Sequence, residues 1–238
     1  MKKLFQKDPV WFAVVWILIY VLCFANADSL SETIGIPKLL TVIVGLVLSV
    51  LLFGFLRKNS LLAYSGLCKS RGKGFLWLLP LIVISTVNFW NGLTMNMPVL
   101  ETVLYILSMC CVGFLEEVIF RGLLFNAMRK DGLRSAVIVS SLTFGIGHIV
   151  NLFNGSGVQL LSNLCQVGYA TAVGFLFVIL FLKTGSLIPC IITHSVVNAL
   201  SVFANKGAIT AVQEIFSAIA IAVIALAYSV YLLKKLPE

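Results

Sequence analysis

Charge is what this sequence has least of. Only 11 % of its 238 residues are Asp, Glu, Lys or Arg, against about 25 % in an ordinary globular domain. A soluble protein of this length must cover its surface with polar groups, so the shortage excludes a soluble fold. Mean hydropathy of +1.06 agrees. Acidic residues are scarcer still, 9 against 17 Lys and Arg, for a formal charge of +8. On a soluble chain that excess would point to nucleic acid. Here the aromatics lie inside apolar runs rather than beside basic clusters, which argues against a nucleic-acid partner. The 6 cysteines include no CxxC pair and fall mostly within apolar segments, as small buried hydrophobes do. Internal repeats, low-complexity tracts and a soluble domain are all missing.

What the chain does have is long apolar runs. A helical span needs about 20 largely apolar residues to cross roughly 30 Å of hydrocarbon. Eight segments qualify or nearly do: 10–27, 39–56, 75–90, 102–127, 135–151, 161–182, 186–203 and 211–233. None alternates with period two, so they read as helices rather than as strands of a barrel. The third is short and ends on polar Asn88, Trp90 and Asn91. At the N-terminus, Lys2, Lys3 and the Ala25-Asn26-Ala27 triplet mimic a cleavable signal peptide. The apolar run from Val10 to Ala25 is long for that role, and the segment is kept as the first span.

Basic residues then orient the chain. With the N-terminus cytoplasmic, fourteen fall in inside segments, among them Arg57, Lys58, Arg71, Lys73, Arg129 and Arg134, against only Lys38 and Lys206 outside. That asymmetry follows the positive-inside rule. The expectation is an all-α integral membrane protein of about eight transmembrane helices with both termini cytoplasmic. Residues 1–99 would hold three helices and a basic loop over 57–74, residues 100–205 a catalytic core, and residues 206–238 the last helix.

Against this background, charges inside a span stand out, because they are costly in lipid and tend to mark function. The fourth segment carries Glu116, Glu117 and Arg121, separated only by apolar Val118, Ile119 and Phe120. Glu117 and Arg121 are spaced i,i+4 and can pair on one helix face. Glu116 is rotated about 100° away, given 3.6 residues per turn. This divides the labour: Arg121 holds Glu117 ionised, and Glu116 is free to act as a base. The only two histidines, His148 and His194, also fall inside apolar segments, and Asn198 shares a face with His194 one turn on. Measured from the nearest cytoplasmic basic residue at about 1.5 Å per residue, Glu116, His148 and His194 reach similar depths, roughly 16–21 Å in. Three helices therefore bring them towards one site.

In order along the chain these residues spell EExxxR (Glu116 to Arg121), FxxxH (Phe144 to His148) and HxxxN (His194 to Asn198). The ordered trio resembles the CAAX protease and bacteriocin-processing (CPBP, or Abi) family of intramembrane proteases. The resemblance implies that Glu116 with His148 activates a water that attacks the scissile carbonyl. It implies further that His194 and Asn198 stabilise the oxyanion, that Glu117 and Arg121 support them, and that Phe144 packs in the site. Glu116, His148 and His194 also amount to a His₂Glu set able to take Zn²⁺, in which case Glu117 would be the base. Asn198 beside His194 suits an oxyanion pair better than a zinc shell, so no metal is assigned and zinc is the one candidate cofactor. The implied partners are a peptide or membrane-protein substrate and the bilayer itself, with the bacterial plasma membrane as the implied location. Two other readings stay open: a non-proteolytic scaffold or immunity protein on the same fold, and a proton-coupled transporter. No duplicated halves support the last.

Overall fold

The computed structural model describes residues 1–70, 78–153, 157–205 and 209–235. All its regular elements are helical. A short α1 (Lys2–Lys7) lies before α2 (Pro9–Ile34), whose start is set by Pro9 in the first turn and by Asp8, which accepts the Trp11 backbone N–H at 2.9 Å. Pro at the first helical position loses no internal bond, and an Asp cap satisfies one of the free N–H groups. Gly35, at φ 79°, ends α2 in the left-handed conformation. Helix α3 (Leu39–Lys58) follows, then the short α4 (Leu79–Ser85). Helix α5 (Val99–Glu116) runs on without a break into a π-helical stretch, Glu117–Phe125, and the single turn α6 (Asn126–Met128). The remaining helices are α7 (Leu133–Gly147), α8 (Leu160–Thr184), α9 (Ile188–Leu200) and α10 (Ala211–Lys235).

Among the described residues, six helical stretches are long and apolar enough to cross a membrane: Pro9–Ile34, Leu39–Lys58, Val99–Met128, Leu133–Leu152, Leu160–Thr184 and Ala211–Lys235. Their outer faces carry exposed Leu22, Val50, Leu100 and Phe216, which only lipid would tolerate in such number. The chain is thus a multi-pass membrane protein. The other two of the eight expected segments are helical but short. Ile188–Phe203 reaches about 24 Å at the α-helical rise and α4 about 10 Å, less than the hydrocarbon thickness. The polar end of the third segment does other work: the Asn88 amide donates to the Val197 carbonyl at 2.6 Å, and beyond the segment Asn96 donates to the Val202 and Ala204 carbonyls. Those three carbonyls lie at and beyond the C-terminal end of α9, where backbone acceptors lack helical partners.

The π-helical stretch sits at the centre, with all nine of its residues buried. Helices α2 and α7 flank it, α3 and α9 pack on α5, and α8 and α10 close the side beyond α7. Part of the expected basic loop is not free. Beyond α3 the chain docks on the α8–α9 turn, where Leu187 N–H donates to the Gly66 carbonyl at 2.8 Å and the Ser186 hydroxyl donates to the Cys68 carbonyl at 2.6 Å. Arg71, Lys73 and Lys206, used above for orientation, lie outside the described residues, as does the start of the third segment, 75–77.

Candidate active site

Where α5 changes to π-helical winding it presents two carboxylates to one imidazole. Glu117 Oε1 lies 2.8 Å from His194 Nδ1, and Glu116 Oε2 lies 3.6 Å from His194 Nε2. Adjacent residues on a regular helix diverge, and the sequence spacing alone sets Glu116 and Glu117 on different faces. They converge because the ring of His194 stands between them and offers a nitrogen to each. The π-helix is the part of this arrangement that the sequence did not announce. Such winding is rare, falls mostly at functional sites, and leaves backbone groups to be satisfied from elsewhere. Here the Ser140 hydroxyl donates to the Phe120 carbonyl at 3.0 Å and the Asn126 amide donates to the Gly122 carbonyl at 3.1 Å.

Glycine brings His194 within reach. Gly113 lies three residues before Glu116, on the same helical face. A Cβ there would meet the Ser195 hydroxyl and come within 2.8 Å of the Ser195 backbone nitrogen. The notch lets α9 lie directly on α5, the close approach that small residues permit between membrane helices. Gly113→Val is therefore expected to push α9 away and part His194 from both carboxylates. The expected result is loss of at least tenfold in activity together with about 1–3 kcal/mol of stability, the usual range for overpacking. Wild-type activity in a purified, folded Gly113→Val protein would refute it.

Arg121 completes the group. Its Nη1 donates to Glu117 Oε1 at 3.0 Å, and neither side chain has any exposed surface. The expected i,i+4 pair is formed despite the altered winding. The guanidinium also lies over the Phe144 ring, 4.0 Å from its centroid, a favourable cation–π placement in a desolvated setting. Gly174 on α8 makes room for both, since a Cβ there would sit 3.1 Å from Arg121 Nη2 and 3.2 Å from Phe144. Gly145 is equally tight against Val167 and Thr171 of α8. Gly147 and Gly168 have open space where a Cβ would go.

Phe144 links the two histidines. Its ring meets His148 edge-on at 5.4 Å between centroids and His194 edge-on at 5.6 Å. His148 is half-buried at the point where α7 tightens into a 3₁₀ turn, and the buried Asn163 of α8 holds its backbone carbonyl with a 2.7 Å bond. Asn198 lies one turn beyond His194 on α9, half-buried, and its carbonyl accepts from the Ser201 hydroxyl. The structure thus gathers Glu116, Glu117, Arg121, Phe144, His148 and His194 around one ring system, with Asn198 next in line on α9.

One neighbour escaped the reading of the sequence. The Tyr20 hydroxyl, from the middle of α2, donates to Glu116 Oε1 at 2.6 Å. The available signal was a phenol inside an apolar span, which needs a partner for its O–H. A tyrosine is common enough in membrane helices that this signal is weak.

Glu116, His148 and His194 were the candidate zinc ligands. Among the described residues, no three His, Cys, Asp or Glu side chains are grouped to hold a metal ion. Glu117 already engages His194 Nδ1, and Tyr20 engages Glu116. No chemical step is derived through a metal.

Residues 98–200 match the family described as type II CAAX prenyl endopeptidase Rce1-like. This segment is similar to the CAAX protease family. The match spans α5 to α9 and contains all three motifs of the candidate site; α2, α3 and α10 lie outside it. No curated protein and no solved structure matches the chain. The buried Glu116–His194–Glu117–Arg121 group lies within the matched segment.

Proposed function

We propose that this protein is an intramembrane endopeptidase that hydrolyses a peptide bond in a membrane-associated protein or peptide precursor, of the CAAX type named in its family description. One observation carries the reading. Glu116 Oε2 has no hydrogen-bond partner and faces His194 Nε2 across 3.6 Å, while every other polar contact of the pair is fixed. That gap is wide for a direct bond and lies where an attacking oxygen would need both a base and a donor.

The charges support the assignment. Glu117 and Arg121 pair with one another, which leaves Glu116 Oε2 to face His194. In the proposed reaction Glu116 Oε2 takes a proton from water as its oxygen adds to the scissile carbonyl carbon. The imidazolium of His194, oriented through Nδ1 by Glu117, donates from Nε2 to the oxyanion, and Asn198 adds a second donor. The C–N bond then breaks, and the proton held by Glu116 passes to the leaving amine. His148, across Phe144 from His194, flanks the water. The charge pattern of the sequence, read over eight segments, supports both termini on the cytoplasmic side.

The test uses purified protein in liposomes with a farnesylated peptide of CAAX sequence in heavy-oxygen water. The expected products are two peptides, with one heavy oxygen in the new C-terminal carboxylate. Absence of cleavage would overturn the peptidase reading. A chelator such as 1,10-phenanthroline is expected to leave the rate unchanged; loss of activity restored by added zinc would overturn the glutamate mechanism and favour a metal.

A further inference from the structure

Tyr20 belongs to a helix that the family match does not reach, yet it makes the shortest polar contact to the proposed base. It is buried in the middle of α2, its ring 4.7 Å from that of Phe24. Helix α2 packs directly on the π-helical stretch. From there the phenol donates to Glu116 Oε1 at 2.6 Å, within the range of charge-assisted O–H···O bonds. The other oxygen, Oε2, is left without a partner and aimed at His194.

A carboxylate facing an imidazole in a low-dielectric site is drawn towards a direct ion pair, because Coulomb attraction there is poorly screened. Such a pair would close at 2.7–2.9 Å, nearly 1 Å shorter than the separation found, and would tie up the oxygen that is to take a proton from water. His194 cannot move to meet Glu116, since Glu117 holds its other nitrogen and Gly113 seats its helix. Glu116 can approach His194 only by turning its side chain away from Tyr20, which the 2.6 Å bond to Oε1 opposes. We propose that Tyr20 is a positioning residue: by holding Glu116 Oε1 it keeps Oε2 from bonding His194 and so free to act as the base. The groups that face Glu116 are then Tyr20 from α2, His194 from α9, and Glu117 and Arg121 from its own helix, with His148 of α7 beyond Phe144. This role rests on the peptidase reading, but it has a test that does not.

Tyr20→Phe removes one oxygen and keeps the ring. Per folded enzyme, kcat is expected to fall about tenfold to a hundredfold, as for an ångström-scale misplacement of a catalytic group, with KM unchanged. A residue that merely packs would alter yield or thermal midpoint and leave kcat per folded enzyme as it was. The second measurement needs no turnover. In the infrared difference spectrum of Tyr20→Phe against wild type, the carboxylate stretching bands shift; in a Glu116→Gln background the same difference contains no such band. Wild-type kcat in a cleaving enzyme, or a spectrum without a carboxylate shift, overturns the proposal. If the wild-type protein cleaves nothing, the functional reading fails, and the spectrum alone decides whether Tyr20 holds Glu116.

Discussion

Glu116→Gln is expected to lower kcat by about 10³-fold, within the range that positioned acid–base groups contribute. The substitution preserves shape, and the amide oxygen can still accept the bond from Tyr20 now made to Oε1. What it removes is the basicity of the atom facing His194 across 3.6 Å. Because Glu116 retains 12 % of its side-chain exposure while Glu117 has none, the change is expected to cost little stability. Peptide cleavage in liposomes at equal folded concentration is the measurement. Undiminished cleavage would remove Glu116 from the chemistry. A biological role that persists while cleavage is lost would assign that role to a scaffold on the same fold.

Arg121→Met is expected to act on the fold itself, lowering stability by about 3–5 kcal/mol, the usual cost of breaking a fully buried ion pair. Arg121 and Glu117 share no surface with solvent, so removing the guanidinium leaves Glu117 with His194 as its only partner. Phe144 loses the cation over its face at the same time. Replacing both partners, Arg121→Met with Glu117→Gln, should recover much of the loss, because no uncompensated charge is then left in the interior. Activity should not return with it, since His194 would have lost the carboxylate that orients Nδ1. Thermal midpoints in detergent read the first effect and peptide cleavage the second. A single variant as stable as wild type would show that the pair does not hold this core together.

Much of this was legible in the chain. Hydrophobic runs located the helices, because backbone in lipid must bond to itself and few residues can be spared from the apolar count. Glu116, Glu117 and Arg121 were conspicuous for the same reason, and the order of the three motifs marked His148, His194 and Asn198. The lengths of α4 and α9 were less legible. Apolar composition does not distinguish a helix that crosses from a shorter one whose polar neighbours, such as Asn88 and Asn96, turn back to bind carbonyls at the end of α9. The π-helical winding left no mark in the sequence, since Glu117 to Phe125 would suit an ordinary helix equally well.

The sequence by itself determined the solvent, the class of fold and the residues able to do chemistry, because burying a charge in lipid is so costly that each one must be accounted for. Tertiary structure decided how those residues are shared out. Whether Glu116 and Glu117 serve separate neighbours or the same ring depends on how closely α9 approaches α5, which the missing Cβ of Gly113 permits. Which carboxylate oxygen stays free depends on Tyr20, ninety-six positions earlier in the chain. Contacts of that separation have no periodicity to betray them; they exist only once the helices have been packed.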